Sequence, residues 1–229
     1  MGSGGVKLVG EKGNVKMFPI AQGKNTVADV EKSWRDGTNG FGNPNVEYAV
    51  VYDPNSGEIP VVYQGDAHHV NVRAEEGEKE GYTLTHFHPD KNFGGTLSTT
   101  DIRTLTSTKL GEIRAVTRQG ITYGLRAGSN ANRAGMNAWA KRSNNILQKN
   151  FNNSYASALQ RAREGRTVRH VSPSGKVTWR YNRDAQGNVI KMTPAQAAKY
   201  ARTYSVGMYD RAIRKAAEQY GFTYYKKKN

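Results

Sequence analysis

A chain of 229 residues with 36% hydrophobic content is long enough for one well-buried core, and 13 Tyr, 6 Phe and 3 Trp supply its anchors. The absence of cysteine excludes a disulfide framework and any thiolate metal site, which leaves His, Asp and Glu as metal ligands. No apolar run approaches the ~18 residues of a membrane span, so no membrane association is expected.

The net charge of +15 is unevenly placed. Residues 1–125 carry 13 Lys+Arg against 15 Asp+Glu, a net of −2, whereas residues 126–229 carry 21 against 4, a net of +17. A near-neutral first half thus meets a strongly basic second half. Such a basic half suggests a polyanionic neighbour, most often nucleic acid.

Residues 1–44 are rich in Gly, Asn and Lys and show little periodicity. The start, Met1-Gly2-Ser3-Gly4-Gly5, reads as a flexible lead without the apolar core of a signal peptide. Val27, Val30 and Trp34 fall at helical spacing and predict a short helix over 26–34, broken by the 37–45 run. A hairpin follows, with strands at 46–53 and 59–63 around the turn Pro54-Asn55-Ser56-Gly57. Residues 68–73 read as a further strand ahead of the acidic stretch 75–80. Thr83–Phe87 reads as a central strand, and 99–110 as a helix capped by Ser98. Two strands at 112–117 and 121–125 form the next hairpin.

In the basic half, apolar residues over 130–164 fall near helical spacing and predict one or two long helices, with a break near Asn152-Asn153. Gly165 ends them. A small hairpin spans 167–181 around Ser172-Pro173-Ser174-Gly175, and 188–192 is a candidate third strand. Thr193-Pro194-Ala195-Gln196 is a strong helix start, with Thr as N-cap, Pro at the first position and Gln three residues on. That helix extends to about Tyr220, Gly221 stops it, and the Lys226–Lys228 tail is expected to be solvated. The sum is an α+β fold, strands around one helix, with a basic helix-and-hairpin elaboration.

The chemistry concentrates in residues 83–102. His86 and His88 lie one residue apart, which in a strand points both imidazoles to one face. Pro89 ends the strand's pairing, and a Gly-rich loop leads to Ser98 and Asp101 at the start of the next helix. Two imidazoles and a carboxylate form the three-ligand, open arrangement of a catalytic zinc site. Ser98-x-x-Asp101 is also a helix-capping pattern that needs no chemistry. His68 and His69 are either extra ligands or an exposed strand end.

Thr85-His86-Phe87-His88-Pro89 with Leu97-Ser98-Thr99-Thr100-Asp101-Ile102 resembles the metal motif of the JAMM (JAB/MPN-type) metalloproteins, His-x-His-Pro, six residues, then Ser-x-x-Asp. Here eight residues separate Pro89 from Ser98, two more than the usual form. The resemblance implies a mixed sheet around a central helix, Zn2+ held by His86, His88 and Asp101 with water in the fourth position, and hydrolysis of peptide or isopeptide bonds. It gives Ser98 the oxyanion and an upstream Glu the role of general base. Glu47 opens a predicted strand 39 residues before His86 and fits that role, with Glu58 as runner-up.

The texture of 45–229 is also similar to domains of bacteriophages and mobile elements whose usual motif is Thr-His-Asn-His-Pro, Phe87 being the departure. On that reading 1–44 is an N-terminal extension and 126–229 an elaboration of one JAMM-like domain. The setting is the cytoplasm of a bacterial host or a virion, and the partner a protein or peptide substrate.

A rival reading puts the function in the basic half. Arg161, Arg163, Arg166, Arg169, Lys176, Arg180 and Arg183 interleave with His170, Trp179 and Tyr181, a pattern of cations and aromatics suited to nucleic acid. The chain is then a nucleic-acid-binding module, or a nuclease using His170, and the metal site is structural or inactive.

Overall fold

The computed structural model describes all residues except 1–4, 11–12, 21–25, 38–42, 44, 60, 90–94 and 229. The expected flexible lead, the 37–45 breaker and part of the loop after Pro89 thus lie largely outside the described residues. The described chain forms two compact units, Met1–Asn144 with Ala212–Asn229, and Asn145–Arg211.

The first unit is built on a mixed seven-stranded sheet. Its strands are β2 (Lys16–Pro19), β3 (Tyr48–Tyr52), β4 (Val61–Gln64), β6 (Thr83–His88), β7 (Glu112–Thr117), β8 (Ile121–Ala127) and β11 (Phe222–Lys228). The order across the sheet is β11-β8-β7-β6-β3-β4-β2, with β6 in the middle and parallel only to β7. The remaining two strands of this unit, β1 (Gly5–Val9) and β5 (His69–Arg73), pair in parallel as a separate ribbon. All six residues of β6 are buried, as expected of a strand covered on both faces.

Helix α1 (Val27–Asp36) covers one face. Its start is a capping box, Thr26 Oγ1 accepting from Asp29 N while the Asp29 carboxylate accepts from Thr26 N, and Gly37 closes it in the left-handed conformation. Val30 and Trp34 are driven into a cluster with Tyr48, Val50, Tyr52, Val62 and Phe87. Trp34 lies 6.1 Å from Tyr48, nearly parallel, and 6.2 Å from Phe87. On this face Arg114 of β7 reaches Glu31 at 2.9 Å and the Tyr52 hydroxyl at 2.7 Å.

Helix α2 (Thr99–Thr106) is placed through β1 and β7. It stops short of the expected Leu110. The hydroxyls of Thr106, Ser107 and Thr108 turn back onto carbonyls of its last turn. Arg133 then holds the Leu105, Thr108 and Leu110 carbonyls at 2.5, 2.9 and 2.7 Å.

Helix α3 (Arg133–Glu164) and helix α4 (Pro194–Gln219) each begin in one unit and end in the other. The break expected at Asn152-Asn153 does not occur. Neighbouring Phe151 and Tyr155 stack at 6.4 Å, one turn apart, and bridge the weak positions. In the second unit Ala158 and Ala162 of α3, and Ala197, Ala201 and Ser205 of α4, are buried. The hairpin is β9 (Val168–Val171) with β10 (Val177–Arg180). The third strand expected at 188–192 reduces to a single bridge between Arg183 and Val189. No described helix is long and apolar enough to cross a membrane.

Candidate metal centre

Register determines which side chains meet. Ala49 of β3 pairs directly with His86, so the two share a face, and strand alternation places Glu47 and His88 on that same face. Phe87 points the opposite way into the α1 cluster. The strand that supplies both histidines therefore also anchors the main core between them.

Asp101 comes from the first turn of α2. The capping pattern and the ligand pattern prove to be one object. Asp101 Oδ2 accepts from Ser98 N at 2.7 Å, Ser98 Oγ accepts from Asp101 N at 3.1 Å, and Asp101 Oδ1 lies 3.3 Å from His86 Nε2. His88 Nε2 stands 3.9 Å from Asp101 Oδ2 and 2.8 Å from His86 Nε2. One ligand atom from each of the three residues falls within 4.8 Å of the others, the one such grouping of His, Asp and Glu among the described residues. His86 and Asp101 are wholly buried and His88 is 5% exposed.

The donor set fits a metal ion. Burial, then the proximity of His86, depresses His88 to a pKa of about 3, so it is neutral at pH 7. Burial raises the Asp101 carboxyl, but the charge of His86 and its hydrogen bond outweigh this and hold it below the ordinary range, so it is ionised. The 2.8 Å contact between His86 Nε2 and His88 Nε2 requires one of the two nitrogens to be without a proton, which is the state a ligand needs. Both Nδ1 atoms are buried and make no hydrogen bond to the described residues. Nitrogen and carboxylate donors without thiolate suit zinc or another imidazole-binding divalent ion.

Two further groups crowd this centre. Glu47 is 2% exposed and its Oε2 makes no hydrogen bond to the described residues. Burial, then the Asp101 charge, push its carboxyl well above the ordinary range. The runner-up Glu58 is exposed, beyond the end of β3 that faces Thr83, at the opposite end from the histidines.

Sequence reasoning missed the second group, the start of β1. Val6 N donates to Asp101 Oδ1 at 3.0 Å. Gly5 sits at φ +151°, where a Cβ would fall 2.6 Å from Ser98 Oγ and 2.7 Å from Asp101 Oδ1. Only glycine allows the backbone this close. Nothing in the residue order marks this contact beyond the glycine itself.

His68 and His69 do not belong to that grouping of His86, His88 and Asp101, and their backbone N–H groups donate to Asp66 Oδ1 at 2.7 and 2.8 Å. His170 lies in β9 of the second unit, against Arg180 at 3.0 Å. Fold and site define a mixed α+β protein with a buried His-His-Asp group able to hold a metal ion. No family model, no curated protein and no solved structure matches the chain.

Proposed function

We propose that this chain is a zinc-dependent hydrolase of peptide or isopeptide bonds, of the JAMM type. The observation that carries the reading is the convergence of His86 Nε2, His88 Nε2 and the Asp101 carboxylate in a buried group. When bound, the ion supplies a coordinated water of pKa near ~7 and an electrophile for an amide carbonyl.

The chain's own residues account for the rest. His86 and His88 would hold the ion through Nε2, with their ring protons then at Nδ1, and Asp101 would add the negative charge. Glu47, on the same sheet face and with a raised pKa, takes a proton at Oε2 and returns it to the leaving amine. Ser98 has one lone pair committed to Asp101 N and keeps its proton to donate to the developing oxyanion.

The deep burial of the ligands and the capping duty of Asp101 favour a second reading, an ion that only stabilises the fold. The test measures bound metal on protein purified without a His-tag, wild type against His86→Ala/His88→Ala, and then cleavage of peptide and isopeptide substrates. One zinc per chain, lost in the variant, with cleavage abolished by Glu47→Gln while zinc is retained, supports the hydrolase. Zinc that raises the melting temperature without any cleavage supports the structural ion. No bound metal, with folding unchanged in the variant, overturns both.

A further inference from the structure

The second unit carries a feature that the metal centre does not use. Between Gly165 and Arg183 the chain has five cations, Arg166, Arg169, Lys176, Arg180 and Arg183, and no acidic residue. Arg166 is neutralised by Glu164 at 2.7 Å. Among the described residues no carboxylate lies within ion-pair distance of Arg169, Lys176 or Arg180, and all three are exposed. These charges sit on the β9–β10 ribbon, a two-stranded sheet joined by the turn at 172–175.

Cross-strand pairing sorts the ribbon into two faces. Arg169 pairs with Trp179 and Val171 with Val177 on one face, and His170 pairs with Thr178 and Val168 with Arg180 on the other. The first face is anchored near its base. The Arg161 guanidinium lies 4.2 Å over the Trp179 ring and 5.2 Å over Tyr204, and Trp179 meets Tyr204 edge-on at 5.6 Å. Beyond that clamp the ribbon is bare: Val168 on the second face, and Val171 and Val177 towards the turn on the first, are each more than 40% exposed. A two-stranded ribbon is marginally stable alone, and unpaired cations beside bare valines add to its cost. An anionic, grooved partner would relieve both.

We propose that the β9–β10 ribbon docks in the major groove of duplex DNA. Four residues per strand span roughly 13 Å. A two-stranded ribbon fits a groove about 12 Å wide. Arg169 and Arg180 lie on opposite faces and Lys176 follows the turn, so cations reach towards the phosphates on both sides of an inserted ribbon. Single strands fit less well. Trp179 is packed against Arg161 and Tyr204, and Arg183 lies 5.8 Å over Tyr181, so both aromatic rings of this segment already carry a cation on one face. Duplex RNA fits least, because its major groove is deep and narrow.

The experiment is a fluorescence-anisotropy titration of the full chain with labelled duplex DNA, single-stranded DNA and duplex RNA, at 50 and 200 mM salt. Two triple variants remove equal charge, Arg169→Gln/Lys176→Gln/Arg180→Gln on the ribbon and Lys149→Gln/Lys191→Gln/Lys199→Gln off it. With about four phosphates neutralised, wild-type affinity for duplex DNA falls about 100-fold between the two salts. The ribbon triple weakens binding more than tenfold and the control triple less than threefold. Methyl green in the major groove competes, and netropsin in the minor groove does not. Tighter binding to single strands or RNA, equal losses in the two triples, or no wild-type binding at 50 mM salt would overturn the proposal. His86→Ala/His88→Ala retains binding, so the result is independent of the metal centre.

Discussion

The backbone N–H of Val6 donates to Oδ1 of Asp101 at 3.0 Å, joining the start of the chain to a carboxylate 95 residues away. Asp101 therefore holds three things in one place: the cap of α2, the start of β1 and the imidazole of His86. Gly5→Ala drives a methyl into Ser98 Oγ and Asp101 Oδ1. The variant is expected to lose about 2 kcal/mol of stability from strain and displacement. Metal affinity is expected to fall about 10–100-fold, as when an outer-shell partner is lost. Competition against a chromophoric chelator, with a urea melt of the same sample, reads both.

The dual role of Asp101 can be separated by chemistry. Asp101→Ala leaves the Ser98 and Val6 N–H groups buried without an acceptor, expected to cost about 2–4 kcal/mol. Asp101→Asn keeps one carbonyl oxygen for those donors but loses the charge that balances the ion. In chelator-treated protein Asn should therefore be the milder change. In metal titrations both should bind at least tenfold more weakly than wild type. Equal metal affinity for Asn and wild type would remove Asp101 from the ligand set.

On the opposite face, Arg114 compensates the buried Glu31. Burial raises the Glu31 carboxyl even with Arg114 beside it. A carboxyl with a raised folded-state pKa binds more protons folded than unfolded. Its contribution is thus fully present below the unfolded value of ~4.5 and is lost as pH rises through the folded value. Arg114→Met raises that pKa further and leaves an uncompensated charge. The variant should be close to wild type near pH 4 and about 3 kcal/mol less stable at pH 7. Urea midpoints at the two pH values check it, and a deficit independent of pH would contradict it.

In the second unit the Arg161 guanidinium lies 4.2 Å over the Trp179 ring and 5.2 Å over Tyr204, and a flat, weakly hydrated guanidinium packs on aromatic rings better than an ammonium does. Arg161→Lys keeps the charge yet is expected to cost about 1 kcal/mol. Trp179→Ala removes the shared ring and is expected to cost about 2–3 kcal/mol. Hydrogen exchange resolved to 145–211 should show faster opening of the ribbon in both variants, in that order. Unchanged protection would mean that the ribbon is held by its turn and not by the clamp.

Signals short in range were legible in the residue order. Ser98 marked a helix start because a cap is read within four residues, and the spacing of Val27, Val30 and Trp34 marked another helix. Thr193-Pro194 marked the last long helix, and His-x-His with alternation placed two imidazoles on one face. What escaped notice depends on distant partners. β1 has the weak composition of a Gly- and Lys-rich segment and exists by pairing in register with β5, more than 60 residues on. Three of the seven residues of β11 are lysine, and its strand state comes from seven pairs with β8, while its lysines stay solvated as expected. The Asn152-Asn153 pair is a poor helix segment by propensity, yet the flanking aromatic pair carries α3 through it. The coarse α+β class was readable, and so was the possibility of a metal at His86, His88 and Asp101. The contact of Gly5 with Ser98 had no local sign.

The outer strands of the seven-stranded sheet bear on how the protein behaves in a crowd of its own copies. One border is β11, which ends in Lys226-Lys227-Lys228, and the other is β2, which opens with Lys16 and ends at Pro19. Exposed backbone at a border is a template for recruiting an identical strand, and a row of ammonium groups or a missing N–H spoils it. Self-recruitment at β11 would stack like charges, and at β2 the proline removes a donor from the next ladder. Growth into fibres is thereby opposed at both borders, by repulsion on one side and by a gap in the ladder on the other.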